Sequence, residues 1–305
     1  MAIPCLYLVQ YRPIHMRCFM RFNTPLRYPG GKSKLFNFMS KIIGMNDLQD
    51  LHYAEPYAGG AGLALKLLFK ENASQIYLND LNLAVYSFWD SVLNRTEELC
   101  HMILATEVSM DEWHIQKSIM SNPENKDLLQ LAFATFFLNR TNRSGILKGG
   151  VIGGKSQDGK WKLDARYNKQ DLIQRIKLIA AQKDRIHIYN LDANDFITKV
   201  VKNLPNHSLT YFDPPYYVKG KGLYENHYLH EDHVVIANRI QTEIQTPWIV
   251  SYDNVAPIRT MYNSSKTLSY GITYSAQERY TGDEVMYFSD GLKYPECADP
   301  AKFKG

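Results

Sequence analysis

Leu51–Gly62 reads LHYAEPYAGGAG, and this stretch decides the fold. LHYAE has the composition of a short strand. The glycine cluster after it marks a turn, and LALKLLFKE (Leu63–Glu71) continues with helical spacing. QIYLND (Gln75–Asp80) is then a second strand. Three more short β-branched and aromatic runs follow much later: RIHIYNLD (Arg185–Asp192), SLTYFD (Ser208–Asp213) and PWIVSYDN (Pro247–Asn254). HEDHVVIANRIQTEI (His230–Ile244) lies between the last two, helical in period and acidic in its first turn. KTLSYGITYSA (Lys266–Ala276) and GDEVMYFSD (Gly282–Asp290) read as a closing strand pair. Strand–helix alternation with short loops predicts an α/β fold, a mostly parallel sheet covered by helices on both faces.

Between the second and third strands the rhythm breaks. Residues 83–168 are helical at first, as in DLLQLAFATFFLN (Asp127–Asn139), then glycine-rich and basic. A crossover needs only a dozen or so residues, so this segment is an insertion. The chain of 305 residues therefore holds one core domain with a sizeable insert. We expect an extension at 1–22, a discontinuous core domain at 23–84 and 169–292, the insertion at 85–168, and a tail at 293–305. The first segment is expected to be non-essential, because Arg12 and Arg17 follow its apolar run and so fall in the wrong order for a secretory signal. Cys5, Cys18, Cys100 and Cys297 lie too far apart for a zinc knuckle or a disulfide framework. No apolar run reaches the length of a membrane span. A cytoplasmic location fits both observations. A net charge of +4 permits a polyanionic partner without demanding one, so any basic surface must be local.

Four stretches can carry chemistry. The glycines of EPYAGGAG (Glu55–Gly62) allow a ligand close to the backbone at a helix N-terminus, though the full dinucleotide fingerprint is missing. Asp80, ending the second strand, can accept from ribose hydroxyls or else cap the next helix. RYPGGK (Arg27–Lys32) offers an aromatic, a glycine pair and a lysine. TYFDPPYY (Thr210–Tyr217) ends a strand on a carboxylate and two prolines, at the carboxyl end where α/β ligands sit. Asp213 and the Pro214 carbonyl form two rigid acceptors. They suit an amino group with two hydrogens, such as a nucleobase amine, on which Tyr216 could stack. His227, His230 and His233 spread around a helix and are set aside as metal ligands; no metal is expected.

In order, these motifs resemble those of the α-group DNA adenine-N6 methyltransferases, over residues 25–292. The resemblance implies a Rossmann-like sheet of seven strands, the last antiparallel, with S-adenosyl-L-methionine as methyl donor. It places Tyr28, Lys32, Asp80 and Asp213 at cofactor-contacting positions, and the turn carrying Glu55, Tyr57, Gly59 and Gly62 near the methionine portion. Asp192 or Asp195 would approach the adenosine. The implied reaction is site-specific methylation of adenine N6 in duplex DNA, by base flipping and direct transfer, with Asp213, Pro214 and Tyr216 at the target base. The insertion then becomes the DNA reader, through Asn139, Arg140, Asn142, Arg143, Lys160 and Lys162, with Lys148, Lys155, Arg166 and Lys169 adding to its positive charge. It is less aromatic than in relatives that methylate GATC, which leaves the recognition sequence open. A cognate restriction endonuclease is a candidate partner. The same acceptor pair would serve an amino-methylating cytosine enzyme. An RNA or protein-glutamine methyltransferase and an inactive DNA-binding relative are further alternatives.

Overall fold

The computed structural model describes residues 24–28, 30–218, 228–274 and 280–304. The 1–22 extension and His227 lie outside them. The strands are β1 (His52–Glu55), β2 (Gln75–Asn79), β3 (Ile186–Tyr189), β4 (Ser208–Phe212), β5 (Trp248–Asp253), β6 (Lys266–Tyr274) and β7 (Tyr280–Phe288). They form one sheet in the order β3-β2-β1-β4-β5-β7-β6. β1 to β5 pair in parallel, and β7 runs antiparallel between β5 and β6. The chain builds outward from β1 to β3 and then returns to lay β4 on the other side of β1. That reversal leaves a crevice beyond the carboxyl ends of β1 and β4, where open α/β sheets bind ligands.

Side chains alternate between two cores, as the period-2 pleat requires. Tyr53, Leu209, Tyr211, Ile249 and Met286 face one core; Ala54, Phe212, Val250, Tyr252 and Val285 face the other. The first is covered by α1 (Phe36–Met45), α2 (Gly62–Phe69), α3 (Leu83–Asn94) and α7 (Lys169–Ala180). The second lies under α8 (Ala193–Lys199), α9 (His230–Glu243) and α10 (Ala256–Met261).

Between β2 and β3 the chain also forms α4 (Thr96–Ala105), α5 (Met110–Met120) and α6 (Leu128–Thr141). α6 is buried along nearly its whole length, which explains why its sequence is apolar all round rather than striped. It packs on α3, with Phe88 and Phe136 stacked at 6.0 Å, so these helices extend the first core rather than form a separate one. After β7, Tyr294 stacks on Phe288 at 3.9 Å and Phe303 packs edge-on against Phe38. No helix among the described residues is long and apolar enough to cross a membrane.

Candidate active site

A cavity of about 480 Å3 opens at the carboxyl ends of the central strands. The glycine turn forms one wall and is fixed on three sides. The Gly59 N–H donates to Asp80 Oδ2 at 2.9 Å, the Trp89 indole donates to the Gly59 carbonyl at 2.9 Å, and Ala58 N–H donates to the Asn79 carbonyl at 2.9 Å. Gly59 has φ +47°, and a Cβ there would meet the Tyr28 ring at 2.6 Å. Tyr28 thus lies directly on the turn, and only glycine fits beneath it. Buried Asn79 joins three strand ends, donating to the Pro56 and Leu191 carbonyls and accepting from Leu191 N–H.

Asp80 is not the helix cap. Asn82 caps α3, accepting from Ala84 N–H at 2.9 Å, while Asp80 Oδ1 takes the Asn82 N–H. Burial pushes the Asp80 carboxyl up to about 6, against the pull of the Asn82 and Gly59 N–H groups. Glu55, at the end of β1, is pushed up to about 8 by burial, although the Tyr53 hydroxyl donates to it at 3.1 Å. At neutral pH Glu55 is therefore a neutral acid.

Asp213 follows β4 and faces the cavity. Its Oδ2 pairs with Lys32 Nζ at 2.9 Å and its Oδ1 accepts from Ser251 Oγ at 2.8 Å. Burial raises its pKa, and Lys32 opposes that rise. Lys32 also donates to the Tyr216 hydroxyl at 3.1 Å, which in turn donates to Glu284 Oε1 at 2.7 Å. Among the described residues, no hydrogen bond reaches the Pro214 carbonyl. Tyr216 itself is enclosed, only 9% exposed, with the Lys32 ammonium 5.2 Å from its ring centre. As placed here it anchors the turn, and Pro215 lines the cavity instead. After it, the Tyr217 and Val218 N–H groups both donate to Asp253 at 2.9 Å.

The structure brings Tyr28, Lys32, Glu55, Tyr57, Gly62, Asp80, Asp192 and Asp213 into one cavity lining. Of the two carboxylates left open after β3, Asp192 lines the cavity and caps α8, while Asp195 pairs outward with Lys199 at 2.8 Å. Tyr57 meets the Tyr228 hydroxyl at 2.8 Å.

The expected DNA-contacting residues divide. Asn139 and Asn142, expected to bond to bases or phosphates, turn inward and are buried. Asn139 accepts from Arg27 N–H at 2.7 Å and donates to the Arg27 and Gly145 carbonyls. Asn142 donates to the Ile146 and Leu147 carbonyls and accepts from the Trp113 indole at 2.7 Å. Both amides have committed their two N–H donors to the backbone. Arg140 is 7% exposed and lines the cavity with Arg27, Arg166 and Arg175. Arg140 Nε and Arg27 Nη1 are buried with no hydrogen-bond partner. Burial, then Arg175 and Arg27, push the Arg140 guanidinium down to about 9. Arg143, Lys160 and Lys162 are exposed on the loop after α6, beside Trp161 at 63% exposure. Gln157 holds that loop, donating to the Ile152 and Gly154 carbonyls and accepting from Leu163 N–H.

Sequence reasoning missed Ser251 and Glu284. For Glu284 the available signal was an acid leading directly into the apolar run VMYF (Val285–Phe288), because a strand buries an unpaired carboxylate only at a cost of several kcal/mol. His233 is buried with Nδ1 at 2.9 Å from the Tyr252 hydroxyl, and His230 Nδ1 meets the Tyr217 hydroxyl at 3.0 Å.

Comparison with known proteins agrees with this geometry. Residues 28–278 match the model of the D12 class N6 adenine-specific DNA methyltransferases. The type II methyltransferase M.MjaIII of Methanocaldococcus jannaschii is 20% identical over 210 residues, covering 63% of this chain and 68% of that protein. Two solved structures are loosely similar. The candidate RNA methyltransferase PH1948 of Pyrococcus horikoshii has a TM-score of 0.39 at 11% identity, over 87% of this chain and 85% of that one. The rRNA methyltransferase aviRa of Streptomyces viridochromogenes has a TM-score of 0.34 at 12% identity, over 82% and 83%. With most of its length matched by the family model, and the strand-end acid and glycine turn joined in one cavity, the chain belongs to the D12 class N6 adenine-specific DNA methyltransferase family.

Proposed function

We propose that the chain methylates adenine N6 at a specific site in duplex DNA, with S-adenosyl-L-methionine as donor and the target base flipped into the cavity. The observation carrying this reading is Asp213 at the end of β4, its carboxylate held by Lys32 and Ser251 and facing the cavity. The lining suits the donor: Asp80 and Asp192 offer acceptors for ribose hydroxyls, and the glycine turn admits a ligand to the backbone. S-adenosyl-L-methionine, when bound, supplies the electrophilic sulfonium methyl. The residues of this chain do the rest. Adenine's amino nitrogen delocalises its lone pair into the ring. Hydrogen bonds from its two hydrogens to Asp213 and the Pro214 carbonyl hold it nearer tetrahedral and stabilise the positive charge that develops in direct attack. Both acceptors are fixed beforehand, which provides the positional part.

The four arginines at the cavity wall support an anionic strand beside the flipped base. Two of them, Arg27 and Arg140, bury an N–H with no partner among the described residues, a need that a backbone phosphate would meet. The exposed Arg143, Lys160 and Lys162 carry the contact out along the duplex, in place of Asn139 and Asn142. In this reading residues 85–168 are the recognition insertion and the rest of 23–292 the catalytic unit. The name of the M.MjaIII relative supports a cognate restriction endonuclease as partner, and the enzyme works in the cytoplasm.

The test is methyl transfer from labelled cofactor to duplex DNA, with nucleosides identified after hydrolysis. Wild type should yield N6-methyladenine, and Asp213→Ala should lose roughly 10²–10³-fold in rate while keeping its fold. Methylcytosine, or no methylated base, would overturn the reading, as would an Asp213→Ala variant within about threefold of wild type.

A further inference from the structure

Glu284 is a buried acid that the chemistry above does not use. It lies on β7, opposite Asp253 of β5 and Tyr270 of β6, and is 1% exposed. Two hydroxyls donate to it: Tyr216 to Oε1 at 2.7 Å and Tyr270 to Oε2 at 3.0 Å. Because the Tyr216 hydroxyl gives its proton to Glu284, its oxygen is turned to accept from Lys32 at 3.1 Å, and Lys32 reaches Asp213 at 2.9 Å. One chain thus runs from the antiparallel strand to the strand-end carboxylate. Lys32 is its branch point: the ammonium donates one way to the Tyr216 hydroxyl, which passes a hydrogen bond on to Glu284, and the other way to Asp213. Reversing the Tyr216 hydroxyl would set its proton against the ammonium.

We propose that Glu284 is a positioning residue for methyl transfer, which fixes the Tyr216 hydroxyl and through it the Lys32 ammonium that orients Asp213. This rests on the function proposed above. Glu284 touches no reacting atom. It decides where Lys32 sits, and hence which Asp213 oxygen faces the target amine. Asp253, its cross-strand partner on β5, secures the same segment through the Tyr217 and Val218 N–H groups. That segment is therefore held at the Tyr216 ring and at its backbone by two acids on adjacent strands.

The experiment is a double-mutant cycle on Glu284→Gln and Tyr216→Phe, read as the single-turnover rate at saturating cofactor and DNA. Each single variant should lose roughly 10–100-fold, the scale of a displaced catalytic group. The double variant should be no slower than the worse single, because both cut one chain. Tyr270→Phe removes only the second hydroxyl and should cost less than Tyr216→Phe. Thermal midpoints and cofactor affinity measured in parallel separate positioning from folding, since a structural role would lower the midpoint and leave the rate per folded molecule unchanged. If Glu284→Gln does not fold, the two tyrosine variants still test the order. Glu284→Gln within threefold of wild type, additive losses, or the reverse order of the tyrosine variants would overturn the inference while leaving the function intact. A wild type that makes no N6-methyladenine would remove both.

Discussion

Glu55→Gln should make the protein more stable relative to wild type as pH rises, with no change in fold. Glu55 is buried at the end of β1, and burial lifts its pKa from about 4.5 to about 8. The folded state therefore holds a proton that the unfolded chain releases between those two values. The sign follows from linkage: the neutral acid is fully tolerated below the unfolded pKa. Stability is then lost at about 1.4 kcal/mol per pH unit up to the folded pKa, and the penalty levels off above it. Glutamine has no such dependence, and its carbonyl can still accept the Tyr53 hydroxyl that Glu55 Oε1 accepts at 3.1 Å. Equilibrium urea denaturation followed by tryptophan fluorescence at pH 5.5, 6.5 and 7.5 should show wild type losing about 2–3 kcal/mol against the variant across that range. A difference that stays flat with pH would refute the reasoning. Glu55 would then be ionised in the folded state, and the cavity would carry one more negative charge than described.

Asn139→Ala removes an amide bonded to three backbone groups, two part-buried ones of Arg27 and a buried one of Gly145. It should cost about 2–4 kcal/mol in urea denaturation, the penalty for leaving such groups unpaired; a loss below about 1 kcal/mol would mean that the segment holds without it. Lys160→Ala with Lys162→Ala should flatten the slope of log affinity against log salt by about 1.8 on duplex DNA, two phosphate contacts at 0.9 each, and leave cofactor affinity unchanged. An unchanged slope would place the phosphate contacts elsewhere.

The five parallel strands were legible because each is a short apolar run bounded by turn residues, and pleat and burial both follow from that local pattern. The glycine turn and Asp213 were legible for a related reason: both stand at strand ends, where the chain order already places ligand chemistry. Asn139 and Asn142 were misread because a polar side chain in a basic, glycine-rich segment looks solvent-facing. Whether an amide points to water or to the backbone depends on which loop crosses above it, and Arg27 lies 112 residues away. Ser251 and Glu284 were missed for the same long-range reason. Each belongs to a network whose other members come from distant parts of the chain. That Asp192 rather than Asp195 lines the cavity follows from the helix register, which sends Asp195 to its i+4 partner Lys199.

That distant Arg27 also explains why the Arg-Tyr-Pro-Gly-Gly-Lys segment is more than a turn. Arg27 is bonded through both its N–H and its carbonyl to Asn139, at the end of α6. The backbone of Gly145, in the loop beyond, lies so close that a Cβ there would meet the Arg27 carbonyl at 2.3 Å. One residue on, the Tyr28 ring covers Gly59 of the glycine turn, and Lys32 closes the segment on Asp213. Arg27, Tyr28 and Lys32 thus touch, in turn, the basic loop, the glycine turn and the strand-end carboxylate. Close-packed contacts of this kind have no slack. A shift of the loop after α6 by more than a few tenths of an ångström cannot be absorbed at Gly145. It must either break the Asn139 bonds or carry Arg27 with it, and with Arg27 the lysine that orients Asp213.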